Sequence, residues 1–287
     1  MKKLLALLLT FTFIIAGCSK NTKEELDSSL VEEQDSLYQT TYVEKPTIGR
    51  PKSQEPITNI FIALNHLKQS SSYESSSTGK IIAKKGSLKL ANQTLENRKL
   101  LTSTATFSES ISISSFVKIA EQRYITDESV QKREASKVSS SSVKWSQSTK
   151  KMSNDEYLDM YGFSYKDPSR YVINEQTILG DIEILNNGIG RKFTYKFNLD
   201  PKIASHFYKL SVKTMSNSST MPEFKSIEMT MTFDYKWRMT KIEVNEVYKI
   251  TLSALGEVTC YANLTETFKN VDKSVSIPEK SFFESKL

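Results

Sequence analysis

The feature that most constrains the fold is a run of alternating residues in the C-terminal part of the chain. Apolar side chains occupy every second position of Ile227–Met239, and polar or charged side chains fill the positions between them. A strand places alternate side chains on opposite faces, whereas a helix would scatter this set around its circumference. A turn within Asp234–Arg238 and a second alternating run, Ile242–Leu252, predict an antiparallel hairpin with one buried face.

Most of the chain after Pro56 also has strand character, interrupted by a few helices. Residues 73–133 are rich in Ser and Thr with moderate apolar content, which is typical of an open antiparallel sheet with one wet face. We also expect a strand at Tyr171–Ile173. The helix signals are an apolar face with Pro56 in the first turn, a capping box of Ser153 and Glu156, and an Asp200–Pro201 start. The expected fold class is α+β, an antiparallel sheet with two or three covering helices.

The N-terminus carries an export signal. Lys2 and Lys3 precede a short apolar run, Leu4–Gly17, which is shorter than the roughly 20 residues of a transmembrane helix. Ile15 does not suit the third-last position of an ordinary secretory cleavage site. The sequence Ile15–Cys18 resembles the lipobox of bacterial lipoproteins. The resemblance implies cleavage before Cys18 and attachment of a diacylglycerol to its sulfur.

These signals divide the chain into three parts. Residues 1–17 are predicted to be a signal peptide, residues 18–55 a lipidated cysteine with a polar, flexible tether, and residues 56–287 the folded domain. The net charge is +6, and the tether is acidic while the domain is basic. We therefore expect a protein held on the extracytoplasmic face of a cell membrane by the lipid on Cys18. Its basic domain would meet anionic lipid headgroups or an anionic envelope polymer, or would be basic for solubility alone; no nucleic acid is expected.

No arrangement of residues typical of an enzyme is recognisable in the sequence. It contains no nucleophile elbow, zinc-protease motif, phosphate loop or dinucleotide-binding turn. Acid pairs such as Asp181 and Glu183 are common on surfaces, and His66 and His206 lie far apart without ligand spacing. We therefore expect no metal, no cofactor and no catalysis. With Cys18 lipidated, Cys260 is the remaining thiol, and we expect a small buried residue.

The alternating stripe is the one candidate binding surface in the sequence. Met and aromatic side chains adapt to irregular apolar ligands, and the alternative is a sheet face that packs against the helices. The candidate ligand-lining residues are Met229, Met231, Phe233, Phe207 and Phe61.

The order of elements from Pro56 to Phe268 adds a resemblance to known families. A helix, long antiparallel strands, a crossing helix and a final hairpin resemble the periplasmic lipoprotein carriers and the surface lipoproteins that carry glycolipids on the same half-barrel. The chain is also similar to surface lipoproteins of unknown function from bacteria with a single membrane. The carrier resemblance implies a curved sheet around a helical lid, with lipid between them, although such carriers are soluble and Cys18 would fix this chain to a membrane. We therefore expect a non-enzymatic lipoprotein that binds a hydrophobic or amphipathic ligand; the alternative is an envelope or cell-wall interaction module without a small ligand.

Overall fold

The computed structural model describes residues 37–52, 54–114, 118–139, 142–165 and 167–283. The predicted signal peptide, Cys18 and the first half of the predicted tether lie outside these residues.

The described chain is dominated by one large antiparallel sheet of twelve strands. Their bounds are β1 Tyr73–Lys85, β2 Leu88–Leu101, β3 Thr106–Ser114, β4 Lys118–Ile125, β5 Val130–Val138, β6 Val143–Trp145, β7 Lys150–Met152, β8 Ile178–Asn187, β9 Lys192–Leu199, β10 Glu223–Asp234, β11 Met239–Leu252 and β12 Gly256–Lys269.

Neighbours in the sequence are mostly neighbours in the sheet. The strand order is β6-β5-β4-β3-β2-β1-β12-β11-β10-β9-β8. Strand β7 lies off this path and pairs with β5, which also pairs with β4 and β6. The single large jump joins β1 to β12 in antiparallel register, from Glu74 opposite Lys269 to Lys84 opposite Thr259. The sheet is curved and does not close, because β6 and β8 end its strand order. The predicted curved antiparallel sheet is therefore confirmed.

Four helices accompany the sheet in the described chain: α1 Pro56–Gln69, α2 Asn154–Tyr161, α3 Pro201–Ala204 and α4 Tyr208–Ser216. The fold is mostly β and not clearly the α+β class with covering helices that the sequence predicts, since only α1 is longer than nine residues. The predicted capping box is present, because Ser153 Oγ accepts the Glu156 N–H and the Glu156 carboxylate accepts the Ser153 N–H. Asp200 caps α3 as predicted, but the helix stops at Ala204 and restarts at Tyr208 instead of running through.

The C-terminal hairpin is confirmed in its strands and in its turn. Strands β10 and β11 pair from Glu223 opposite Lys249 to Phe233 opposite Met239. Asp234 organises the turn, because its Oδ1 accepts the N–H of Lys236 at 2.8 Å and its Oδ2 accepts Arg238 Nε at 2.8 Å. The alternating residues of β10 form much of the main core, together with the inward face of α1.

The expected strand at Tyr171–Ile173 is wrong. All three side chains are buried, but the segment is irregular and joins no strand of the sheet. Its backbone finds other partners: the Val172 N–H donates to the Ala204 carbonyl at 2.9 Å, and the Ile173 carbonyl accepts the Thr41 N–H at 2.9 Å. Three consecutive apolar residues indicate burial, and burial alone does not distinguish a strand from a packed loop.

Residues 37–43 pack against the sheet domain, although the sequence analysis assigned them to the tether. Asn174 Nδ2 donates to the carbonyls of Leu37 and Gln39 at 3.0 and 2.8 Å. Tyr42 and Val43 contact the main core, and the Lys68 ammonium lies 4.2 Å from the centre of the Tyr42 ring. The packed part of the chain therefore begins before α1.

Candidate ligand cavity

A large cavity lies against one face of the curved sheet. Its volume is about 1010 Å³, at the upper end of the range for small-molecule sites. Strands β1–β5 and β10–β12 line one side, which we call the floor, and α2, the described residues after it up to Tyr171, and α4 line the other side. We call residues 154–165 and 167–171 together with α4 the cover.

The register of the strands explains why distant residues share this floor. Residues directly opposite each other in an antiparallel pair point to the same face. One such row runs Met229, Val244, Leu264, Gly79, Leu95 and Ser112 across six neighbouring strands. Gly79 has a packing role in this row, because a Cβ there would lie 2.3 Å from Leu264 Cδ2. The absent side chain lets Leu264 lie over the strand.

The cavity floor differs in polarity from one side to the other. The part formed by β10–β12 is mainly apolar and includes Met229, Ile242, Val244, Ile250 and Leu264. The part formed by β1–β3 carries hydroxyl and amide groups, including Ser75, Ser77, Gln93, Asn97, Ser108 and Ser110. A molecule that fits both parts has an apolar portion and a polar portion.

Arg123 of β4 holds α2 over the floor. Its guanidinium donates to Tyr157 Oη at 3.3 Å and to Tyr161 Oη at 2.8 Å, and it lies 4.4 Å from the Tyr161 ring centre. Glu121 forms an ion pair with Arg123 and a second one with Lys132 at 2.7 Å. Burial alone would raise the pKa of Glu121, but Arg123 and Lys132 outweigh it and lower that pKa below its ordinary value. The Glu121 carboxylate is therefore held ionised and keeps Arg123 in place.

A second set of polar contacts lies at the other end of the cover. Tyr171 Oη donates to Glu246 Oε2 at 2.5 Å, and Arg170 Nη1 donates to Tyr208 Oη at 3.2 Å. Glu246 lies in the middle of β11 and is only 3 % exposed. Burial raises its pKa above the ordinary value, and the Tyr171 hydrogen bond and nearby Arg170 offset this only in part. Burial likewise raises the pKa of Tyr208 to about 12, so its phenol stays protonated.

The two parts of the cover also contact each other closely. Gly162 ends α2 in the left-handed conformation, with φ of 80°. A Cβ at this position would lie 2.3 Å from the Phe207 carbonyl oxygen, so the glycine permits both the turn and the close approach to the start of α4. Thr214 Oγ1 donates to the Met160 carbonyl at 3.1 Å. Lys99 of β2 reaches the cover between these points and donates to the Tyr165 carbonyl at 2.8 Å.

Cys260 of β12 lines the cavity and is 3 % exposed. Burial raises its pKa to about 12, although a hydrogen bond with Tyr248 lowers it in part. The thiol is therefore protonated and covered at neutral pH, as expected for a small buried residue.

The structure separates the five residues that the sequence analysis chose as ligand-lining. Met229 lines the cavity and, at 1 % exposure, belongs to the main core as well. Met231, Phe233 and Phe61 are at most 2 % exposed and lie in the main core instead of the cavity wall. Phe207 precedes α4 and is 42 % exposed, outside the core and the cavity wall. Much of the stripe thus packs against other residues of the protein, which was the alternative considered for it.

Sequence reasoning missed the polar residues that hold the cover. Arg123, Glu246 and Arg170 are charged, and their positions gave no sign that they are buried beneath another segment. One signal was available for Glu246. It occupies an inward-facing position of an alternating strand, two residues after Val244 and two before Tyr248. A charge at an inward-facing position indicates a buried partner.

The described residues give no second kind of site. Among them, no group of three or more His, Cys, Asp or Glu side chains is placed to hold a metal ion. No helix in the described ranges has the length and apolar character needed to cross a membrane.

Comparisons with known proteins do not identify a family. No family model matches the sequence, and no curated protein matches it. Among solved structures, the chain has a likeness to Ail, the attachment invasion locus protein of Yersinia pestis, solved in complex with the heparin analogue sucrose octasulfate. The identity is 7 %, the match covers 69 % of this chain and 97 % of Ail, and the TM-score is 0.18. A likeness this low supports no conclusion about fold or function.

Proposed function

We propose that this chain is a membrane-anchored extracytoplasmic lipoprotein that binds a hydrophobic or amphipathic ligand in the cavity beneath the cover, without catalysing a reaction. The single observation that carries the proposal is the cavity itself, about 1010 Å³ in volume against the face of a curved sheet. Its mixed floor suits a ligand with an apolar part and a polar part. The helices and the segment above the cavity would act as the lid of a half-barrel.

Polar contacts hold the cover at its two ends. Arg123 holds α2, and Glu246 holds the segment that ends at Tyr171. Individual hydrogen bonds contribute about 0.5–3 kcal/mol. Apolar contacts add to them, because Tyr157 and Tyr161 pack against Ile125 and Val130, and Tyr208 belongs to the main core. Opening the cover would separate these contacts and leave the strand pairing of the sheet intact.

Two substitutions on one strand test the cavity as the binding site. Gln93 lines the cavity, whereas its neighbour Thr94 is exposed and lies outside the lining. Gln93→Trp should fill part of the cavity and weaken binding of a fluorescent long-chain amphiphile by at least tenfold. Thr94→Trp adds the same side chain to the other face and should bind as the wild type does. Equal affinities of both variants and the wild type would refute the cavity as the site.

The interaction-module alternative has one observation in its favour. The edge strand β8 exposes Leu179, Ile184 and Leu185 at 44, 43 and 50 %, and Ile189 follows at 81 %. Unpaired edges with apolar side chains are surfaces on which another chain can add a strand. Replacing Ile184 and Leu185 with Lys would abolish association with a protein partner at this edge but leave amphiphile binding unchanged.

A further inference from the structure

Six strand ends bring lysines together at one end of the sheet. Because β1 to β6 follow one another in antiparallel order, the last residues of β1, β3 and β5 and the first residues of β2, β4 and β6 all lie at the same end. Five exposed lysines lie at or beside these strand ends: Lys85, Lys89, Lys118, Lys137 and Lys144. We call this set the lysine rim.

The acidic residues nearest the rim on its own strands are already paired, Glu121 with Arg123 and Lys132, and Glu134 with Lys132. Residues 80–94, 110–120 and 135–152 contain neither Asp nor Glu. Lys137 and Lys144 stand directly opposite each other on β5 and β6, an arrangement of like charges that destabilises a strand pair. On the neighbouring β12, Glu257 is already paired with Lys249 at 2.7 Å. An external anion would relieve this concentration of positive charge.

The cavity extends to the same end of the sheet. Ile81 and Ala91, which lie near the β1–β2 connection, line the cavity, and so do Lys118 of the rim and Met215 of α4. Lys118 and Met215 are both exposed, so the cavity meets solvent beside the rim.

Acidic residues lie at the opposite end of β4 and β5. The β4–β5 connection there contains Asp127 and Glu128, and the start of α2 beside it carries Asp155 and Glu156. Two exposed lysines of β7, Lys150 and Lys151, lie beside them, so this end carries charges of both signs. An anionic surface would therefore attract the rim end more strongly than the other end, which orients the domain as well as binding it.

We propose that the lysine rim docks onto the anionic phospholipid headgroups of a membrane and sets the cavity opening against that surface. Leu88, 64 % exposed between Lys85 and Lys89, would enter the headgroup region as the lysines bind phosphates. The inference rests on the proposed function in one respect, that the ligand of the cavity is exchanged with a membrane. A membrane is favoured over a soluble polyanion because the exposed leucine at the centre of this basic turn can bury apolar surface in a membrane but not in a polymer dissolved in water.

Docking can be measured in the full chain reconstituted into phospholipid vesicles. A donor dye is placed on Ser87→Cys in a Cys260→Ser background, and an acceptor dye is placed on lipid headgroups. The rim variant carries Gln at Lys89, Lys118, Lys137 and Lys144, and leaves Lys85, whose ammonium binds the Leu255 carbonyl at 2.7 Å. The matched control carries Gln at four exposed lysines of the opposite end: Lys192, Lys236, Lys269 and Lys273.

We expect strong energy transfer on vesicles with anionic lipid and little on zwitterionic vesicles. High salt should reverse it because exposed charges are screened. Each lysine near an anionic surface contributes about fivefold to binding, so the rim variant should lose roughly 600-fold in its docking constant. The control variant should dock as the wild type does and unfold at the wild-type urea concentration. The rim variant should be at least as stable as the wild type, because it loses the repulsion between Lys137 and Lys144.

Two results would overturn the inference. If the rim and control variants lose docking equally, net charge rather than the rim is responsible. If the wild type shows no transfer on anionic vesicles but binds a soluble phosphate polymer through these lysines, the rim is a polymer site. Amphiphile binding by the rim variant remains measurable in either case, so failure of docking is distinguishable from failure of the proposed function.

Discussion

Arg123→Met tests whether a buried charge network holds the cover on the sheet. In the native protein the Arg123 guanidinium, on a side chain 20 % exposed, contacts Glu121 and two tyrosines of α2. A hydrogen bond to a charged group contributes about 1.5–3 kcal/mol, and removal of one partner of a buried ion pair costs about 3–5 kcal/mol. Lys132 still neutralises Glu121 at 2.7 Å in the variant. We therefore expect the free energy of unfolding to fall by about 3 kcal/mol, near the lower end of the range for a broken buried ion pair.

The matched control is Arg98→Met. Arg98 is 54 % exposed and lies 3.5 Å from Glu74, so its replacement should cost about 0–1 kcal/mol. Urea unfolding measures both losses. The rate at which a maleimide labels Cys260 reports the cover directly, because this thiol lines the cavity and is 3 % exposed. Arg123→Met should label faster than Arg98→Met under native conditions. Equal unfolding free energies and equal labelling rates for the two variants would refute this account of the cover.

Three further predictions follow from particular residues. Ser153→Ala removes the cap of α2 and should cost about 1 kcal/mol in urea unfolding; an unchanged midpoint would contradict the role of the cap. The pKa of Glu246 lies above 4.5 in the folded protein, so the folded state binds more protons than the unfolded state and the free energy of unfolding falls as pH rises above 4.5. Relative to Glu246→Gln, the wild type should therefore lose stability as the pH rises above 4.5 in urea titrations, and a difference independent of pH would disprove the burial effect. Cys18→Ala should leave an uncut precursor without fatty-acid label, and persistent labelling would exclude lipidation at this residue.

The periodic parts of the fold were predictable because each depends on neighbouring residues. The alternation in Ile227–Met239 is set by the two faces of one hairpin, and the structure shows that hairpin with its turn at Asp234. The capping box of Ser153 and Glu156 is likewise a contact between residues three positions apart. Local patterns of this kind carry their structural meaning in the sequence itself.

The cavity was not predictable in the same way, because its shape depends on contacts between distant segments. Met231 and Phe233 share the inward face of β10 with Met229, yet only Met229 reaches the cavity. Asn59 of α1 donates to Tyr195 Oη at 3.0 Å, and Tyr195 stands opposite Met231, so α1 occupies that part of the face. Alternation predicts which side chains of a strand share a face, but it does not predict which segment packs against each part of that face.

The irregular segment at Tyr171 illustrates the same limit. Its apolar triplet suggested a strand, whereas the segment is buried because Tyr171 binds Glu246, 75 positions away in the sequence. A buried carboxylate and its partner on a loop leave no periodic signal that joins them. The sequence therefore predicted none of the polar contacts that hold the cover.

The most direct test of the central claim is chemical analysis of what the cavity holds. The protein is purified from the cells that make it, stripped of loosely bound lipid and extracted with organic solvent, and the extract is measured by mass spectrometry. The account predicts about one amphiphile per chain in the wild type and in Thr94→Trp, and much less in Gln93→Trp. Equal amounts from all three proteins, or no amphiphile from the wild type, would contradict it.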